Sequence, residues 1–223
     1  MMVSPMMRLP AALGVAVALL GAGSGLGAAD DALKQALDRL QERYETTRTL
    51  TADFRQTVES PTLTSPLESR GTVAFEKPNH MRWDYAKPDA QLIVGDGETL
   101  WIYQPEEKQV IKAPLKDAFQ AASPVTFLAG LGRVDRDFDA TLERDEPERW
   151  VLRLVPRKDS GLGTLQLAVR KKDASIDEAR IADPLGTTTR IAFSNERRNI
   201  TLDGGLFRFS TPPGVDVIRP PAY

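Results

Sequence analysis

The chain predicts a mainly β protein with a minor helical part, built as a strongly curved, barrel-like antiparallel sheet covered by helices. Three observations carry this. From Gly71 to Leu115, short aromatic-rich runs are punctuated by Lys77-Pro78-Asn79, Lys87-Pro88-Asp89, Asp96-Gly97-Glu98 and Gln104-Pro105-Glu106-Glu107, the spacing of a meander of hairpins. Strand-like segments number about eleven, too many for a flat open sheet, so the sheet must curl to bury its apolar face. Only two stretches, Leu33 to Tyr44 and Leu115 to Leu131, have the helical character needed to cover that face.

The chain opens on a secretory signal pattern: Arg8 and the free amine, an apolar run from Leu9 to Leu20, and small residues from Gly25 to Ala29. Residues 1–29 are expected to be a signal peptide cleaved after Ala29 or Gly27, leaving 30–223 as one domain. Gly14, Gly21, Gly23, Gly25 and Gly27 make this stretch a poor permanent membrane helix.

Asp30 or Asp31 is placed to cap a helix in which Leu33, Ala36, Leu37, Leu40 and Tyr44 recur at three- and four-residue intervals. At Leu50 the period changes to two, with Leu50, Ala52, Phe54 and Val58 alternating against polar neighbours. A loop from Ser60 to Ser69 leads to a strand at Gly71 to Phe75. In the next strand Met81, Trp83 and Tyr85 share one face, with Arg82 and Asp84 on the other.

Strands follow at Gln91 to Gly95, Thr99 to Tyr103 and Gln109 to Lys112. One or two short helices are expected within Leu115 to Leu131, with Ser123 as a cap and Pro124 as a favoured first helical residue. Strand signals resume at Asp139 to Arg144, Arg149 to Val155, Thr164 to Arg170, Ile176 to Ala182, Thr187 to Phe193 and Leu206 to Phe209. Two of the three tryptophans, Trp83 and Trp101, fall in the meander and could line one shared surface. Hairpin register decides this, and our reading places Leu100 and Ile102, not Trp101 and Tyr103, on the Trp83 face.

Composition excludes several function classes. The net charge of −2 is wrong for non-specific nucleic-acid binding. Zero Cys removes disulfides, thiol nucleophiles, thiolate metal sites and N-terminal lipidation, so the mature chain is expected to be soluble. His80, the sole histidine, reads as a surface turn residue and supports neither a metal site nor a Ser–His pair. No nucleophile elbow, P-loop or dinucleotide fingerprint occurs, so no enzyme, metal or cofactor is expected.

The runs Phe75-Glu76-Lys77-Pro78-Asn79-His80-Met81-Arg82-Trp83-Asp84-Tyr85 and Gln91-Leu92-Ile93-Val94-Gly95-Asp96-Gly97-Glu98-Thr99-Leu100-Trp101-Ile102-Tyr103 resemble the outer-membrane lipoprotein carrier protein family. The order of elements matches from the first helix and Phe54-Arg55-Gln56 to the tail Phe207 to Val217. The resemblance implies an unclosed β-barrel covered by helices. Its cavity would take the acyl chains of lipoproteins released from an inner-membrane ABC transporter and deliver them, across the periplasm and as a monomer, to an outer-membrane receptor.

Acyl chains cannot cross water exposed, since each buried CH₂ is worth ~0.8 kcal/mol. The residues expected to shield them are Phe54, Val73, Phe75, Met81, Trp83, Tyr85, Leu100 and Ile102 on the sheet and Phe119, Phe127, Leu128 and Leu131 on the cover. The family commonly has an Arg, associated with lid closure and release, where this chain has Lys77. Lys keeps the charge without the planar fork of donors. Two other readings use the same scaffold: a periplasmic lipid-sensing regulator, and a carrier of another amphiphile such as a glycolipid.

Overall fold

The computed structural model describes residues 25–86, 89–118, 133–157 and 163–219. Helix α1 (Gly25–Thr46) leads into strands β1 (Thr49–Glu59), β2 (Leu67–Glu76), β3 (His80–Tyr85), β4 (Gln91–Asp96), β5 (Thr99–Gln104) and β6 (Gln109–Pro114). Two short helices, α2 (Leu115–Ala118) and α3 (Val134–Asp137), precede β7 (Phe138–Asp145), β8 (Arg149–Pro156), β9 (Thr164–Arg170), β10 (Ile176–Ala182) and β11 (Thr188–Arg198). Strand β12 (Asp216–Ile218) closes the order.

All twelve strands form one sheet in the order β12-β6-β5-β4-β3-β2-β1-β11-β10-β9-β8-β7. It is two meanders joined along β1 and β11. The edges β12 and β7 do not pair, so the curved sheet remains an unclosed barrel.

Helix α1 lies across the inner face because its apolar stripe matches the alternation of the second meander. Ala36 and Leu40 pack with Phe138, Trp150, Leu152, Leu154, Leu165, Leu167 and Val169 in the main core. Each fully buried Leu there contributes roughly 1.5–3 kcal/mol. Polar clamps fix the helix on the β9–β10 turn: Arg39 Nη2 donates to the Lys172 carbonyl at 3.0 Å, and Arg43 Nη1 to that of Asp173 at 2.8 Å. Arg43 also pairs with Glu196, both side chains being largely covered.

Four expectations are corrected. Helix α1 starts at Gly25, upstream of the expected Asp30 or Asp31 cap, because Leu26, Ala28 and Ala29 are strong helix formers that offset the cost of Gly27 and no proline interrupts the run. Strand β2 starts at Leu67, so Glu68, Ser69 and Arg70 belong to the strand and not to the loop before it. The Leu206 to Phe209 segment is no strand: the Asp203-Gly204-Gly205 turn, with Leu206 N–H donating to Asp203 O at 2.9 Å, bends the chain so that Phe207 is buried. The strand of the tail is β12, which pairs in parallel with β6 through Val217 and Val110.

His80 is the fourth correction. It lies in β3, half-buried, with its ring 5.5 Å from that of Phe207. The tail folding over this end of the sheet covers what the sequence presents as an exposed turn.

Candidate functional site

Register sorts the inner face of the first meander into rows, because directly opposed residues share a face. One row runs Ala52, Val73, Trp83, Ile93, Ile102, Ile111, and the next Leu50, Phe75, Met81, Gly95, Leu100, Ala113. A third runs Phe54, Gly71, Tyr85. Leu100 and Ile102 therefore lie on the Trp83 face. Trp101 is on the outer face, its ring 5.4 Å from Phe209 and its Nε1 donating to Asp96 at 3.1 Å, so the two tryptophans do not share a surface.

Phe54 is the centre of an aromatic cluster, 5.0 Å from Trp83 and 4.8 Å from Tyr85, both edge-on. Gly71 makes this possible. A Cβ there would stand 1.9 Å from the Asp84 carbonyl oxygen and 2.9 Å from Phe54, so only glycine lets β2 and β3 close beneath the ring. The Tyr85 hydroxyl donates to Gln56 Oε1 at 3.1 Å, and burial pushes its phenol up to about 12.

Beside this cluster, under the C-terminal half of α1, is an apolar cavity of ≈ 130 Å³. Leu40 and Tyr44 of α1 roof it; Leu50, Val73 and Phe75 form one wall and Ile176 and Phe193 the other. Of the residues expected from the sequence, Val73, Phe75 and Lys77 line it. Phe54, Trp83 and Tyr85 pack in the adjoining cluster, and Met81 is buried on the same face. Leu100 and Ile102 are half-buried further along it. Phe119, Phe127, Leu128 and Leu131 lie outside the described residues.

The far wall escaped sequence reading. Ile176 and Phe193 were legible only as strand residues, and Leu40 and Tyr44 only as a helix stripe; what they face depends on which strands meet.

Lys77 stands at the mouth with Arg48, Glu76, Asn79 and His80. Its ammonium donates to the Tyr44 carbonyl at the end of α1 and sits 4.1 Å from the Tyr44 ring centroid. A cation there also opposes the negative end of the helix dipole. Burial pulls the Lys77 ammonium below the ordinary lysine value, with Glu45 acting in the opposite direction. The Tyr44 phenol is pushed up to about 12, by burial first and Asp137 second. Among the described residues no group of acids and histidine is arranged to hold a metal ion.

An unclosed sheet around an apolar cavity, roofed by a clamped helix, defines a binding protein. Residues 45–210 match the family model described as outer membrane lipoprotein carrier protein LolA. The chain is 37% identical over 188 residues to the outer-membrane lipoprotein carrier protein of Dechloromonas aromatica, covering 82% of this chain and 87% of that one. It is 33% identical over 201 residues to the protein of that name from Chromobacterium violaceum, covering 90% and 95%. A solved structure of an uncharacterized conserved protein from Thermus thermophilus shares the fold, with TM-score 0.54 and 16% identity over 85% of this chain and 99% of the other. The chain belongs to the outer-membrane lipoprotein carrier protein family. It is a carrier and not an enzyme.

Proposed function

We propose that this protein carries lipoproteins through the periplasm by enclosing their acyl chains between α1 and the inner face of β1–β3. Residues 1–29 serve as the export signal and 30–223 as the carrier domain. Cargo comes from an inner-membrane ABC transporter and goes to an outer-membrane receptor, the carrier acting as a monomer. The observation that carries this reading is the mainly apolar cavity of ≈ 130 Å³ between α1 and the sheet.

Its size bears on mechanism. An apolar cavity of about 150 Å³ accommodates a benzene-sized molecule, so this one admits only a short stretch of chain. Loading must widen it, and the element that yields is the C-terminal turn of α1, tied to β2 by Lys77. Lys77 takes the closing role through a single ammonium donor.

Mass spectrometry of material copurifying with the protein from periplasm tests the reading. Acylated lipoprotein in stoichiometric amount is expected. Glycolipid or free lipid without protein would replace lipoprotein carriage by one of the other amphiphile readings.

A further inference from the structure

The inner cavity has a polar counterpart on the opposite face of the same strands. Between β1, β2, β3 and the bulged end of β11 lies a groove of ≈ 670 Å³, lined by Thr51, Asp53, Thr72, Arg82, Asp84 and Arg197 among others. That volume falls within the usual range of small-ligand sites, about 300–1,000 Å³. The tail closes one side, where Arg82 Nη1 donates to the Leu206 carbonyl at 3.2 Å.

The groove is built by a register shift. Thr51 pairs with Arg197 but Asp53 with Ser194, so the intervening residues of β11 bulge, Asn195 adopting φ 53. Bulges recur beside functional sites because they re-aim side chains. Here Asn195 Nδ2 is turned to donate to Asp53 at 2.6 Å, while Arg82 pairs with Asp84 at 2.8 Å. A second sign is independent of the bulge: the Thr51 hydroxyl is fully enclosed and has no hydrogen-bond partner among the described residues. An enclosed hydroxyl left unsatisfied costs about 1–3 kcal/mol, so a shift of the bulged β11 segment that opens it to a polar ligand in the groove would be offset by the bond formed.

The groove adjoins the cavity. Ala52, Val73 and Glu196 contribute to both, and Thr51 is three residues, about 10 Å of strand, from Arg48 at the cavity mouth. A cargo whose acyl chain is in the cavity therefore has its next residues within reach of the groove. Two guanidiniums, three carboxylates and two hydroxyls suit a segment bearing both donors and acceptors.

We propose that this groove binds the polar polypeptide segment that follows the acylated end of the cargo, so that lipid and peptide are held on opposite faces of one sheet. This rests on the acyl reading of the cavity. Binding is compared for two synthetic probes, N-palmitoyl-cysteine amide and N-palmitoyl-cysteine extended by six polar residues, on the wild-type protein and on the Thr51→Val and Arg197→Gln variants. The extended probe is expected to bind the wild type about tenfold more tightly, and both substitutions should remove that gain while leaving the short probe unchanged. A photoreactive residue in the peptide should label Asp53 or Thr72. Equal affinity of the two probes for the wild type, or a gain that survives both substitutions, overturns the groove. Failure of the short probe to bind at all overturns the cavity instead.

Discussion

Trp83 is the residue on which an optical test of the cavity turns. It is 8% exposed and packs edge-on against Phe54 and Phe75, so ligand entering beside Val73 and Phe75 must change its surroundings. Trp101 is on the outer face and Trp150 in the core beneath α1. A fluorescent fatty acid is expected to quench or shift emission in the Trp101→Phe and Trp150→Phe variants but not in Trp83→Phe. Retention of the change in Trp83→Phe would place the ligand elsewhere. Gly71 offers the complementary test through stability: Gly71→Ala forces a methyl against the Asp84 carbonyl and is expected to cost at least about 2–3 kcal/mol in urea unfolding. A loss below 1 kcal/mol would show that β2 and β3 separate easily.

At the scale of elements, alternation was a good guide wherever a strand has one dry face. Met81, Trp83 and Tyr85 were assignable from β3 alone, and β9 and β10 begin and end where their periodicity does. Partnership between distant elements was not legible. The Phe207-x-Phe209 spacing imitates a strand, yet its backbone turns and its rings plug the outer face, beside His80 and Trp101. Strand β12 has three exposed residues and no pattern to read. The helix end that roofs the cavity shows the same limit, since its tie to Lys77 joins residues with no sequence signal between them.

That tie makes its own prediction. Lys77→Met keeps the apolar stem but removes the donor to the Tyr44 carbonyl, an exposed charged contact worth at most ~1 kcal/mol. Amides in the last turn of α1 should exchange about fivefold faster by hydrogen–deuterium exchange, and cargo should still load but be transferred differently. Lys77→Arg is expected to restore protection. Unchanged exchange in Lys77→Met would remove the contact from the closing device.

For the whole molecule, the buried phenols set an alkaline limit. Tyr44 and Tyr85 are each pushed up to about 12 from an ordinary value of 10.0. The unfolded chain therefore loses those protons first, and between these values it binds fewer protons than the folded chain. Stability is full below pH 10 and falls as pH rises toward 12. Chemical denaturation across this window should show the decline, and a Tyr44→Phe, Tyr85→Phe double variant should flatten it. An equal decline in the double variant would assign the effect to other groups.

The seam between β1 and β11 has a consequence for how the protein acquires its activity. Each meander can zip from neighbouring hairpins, but Leu50 must find Arg198 and Glu59 must find Thr188 across most of the chain. Pairings of such sequence separation form late, because the entropy of closing the loop is lost before the contacts reward it. Leu50 and Phe75 stand on one side of that seam, Ile176 and Phe193 on the other. The second wall of the cavity, Ile176 and Phe193, is therefore expected to arrive late, when β1 and β11 pair, and pulse-labelling hydrogen exchange during refolding should show the β1–β11 amides protected last.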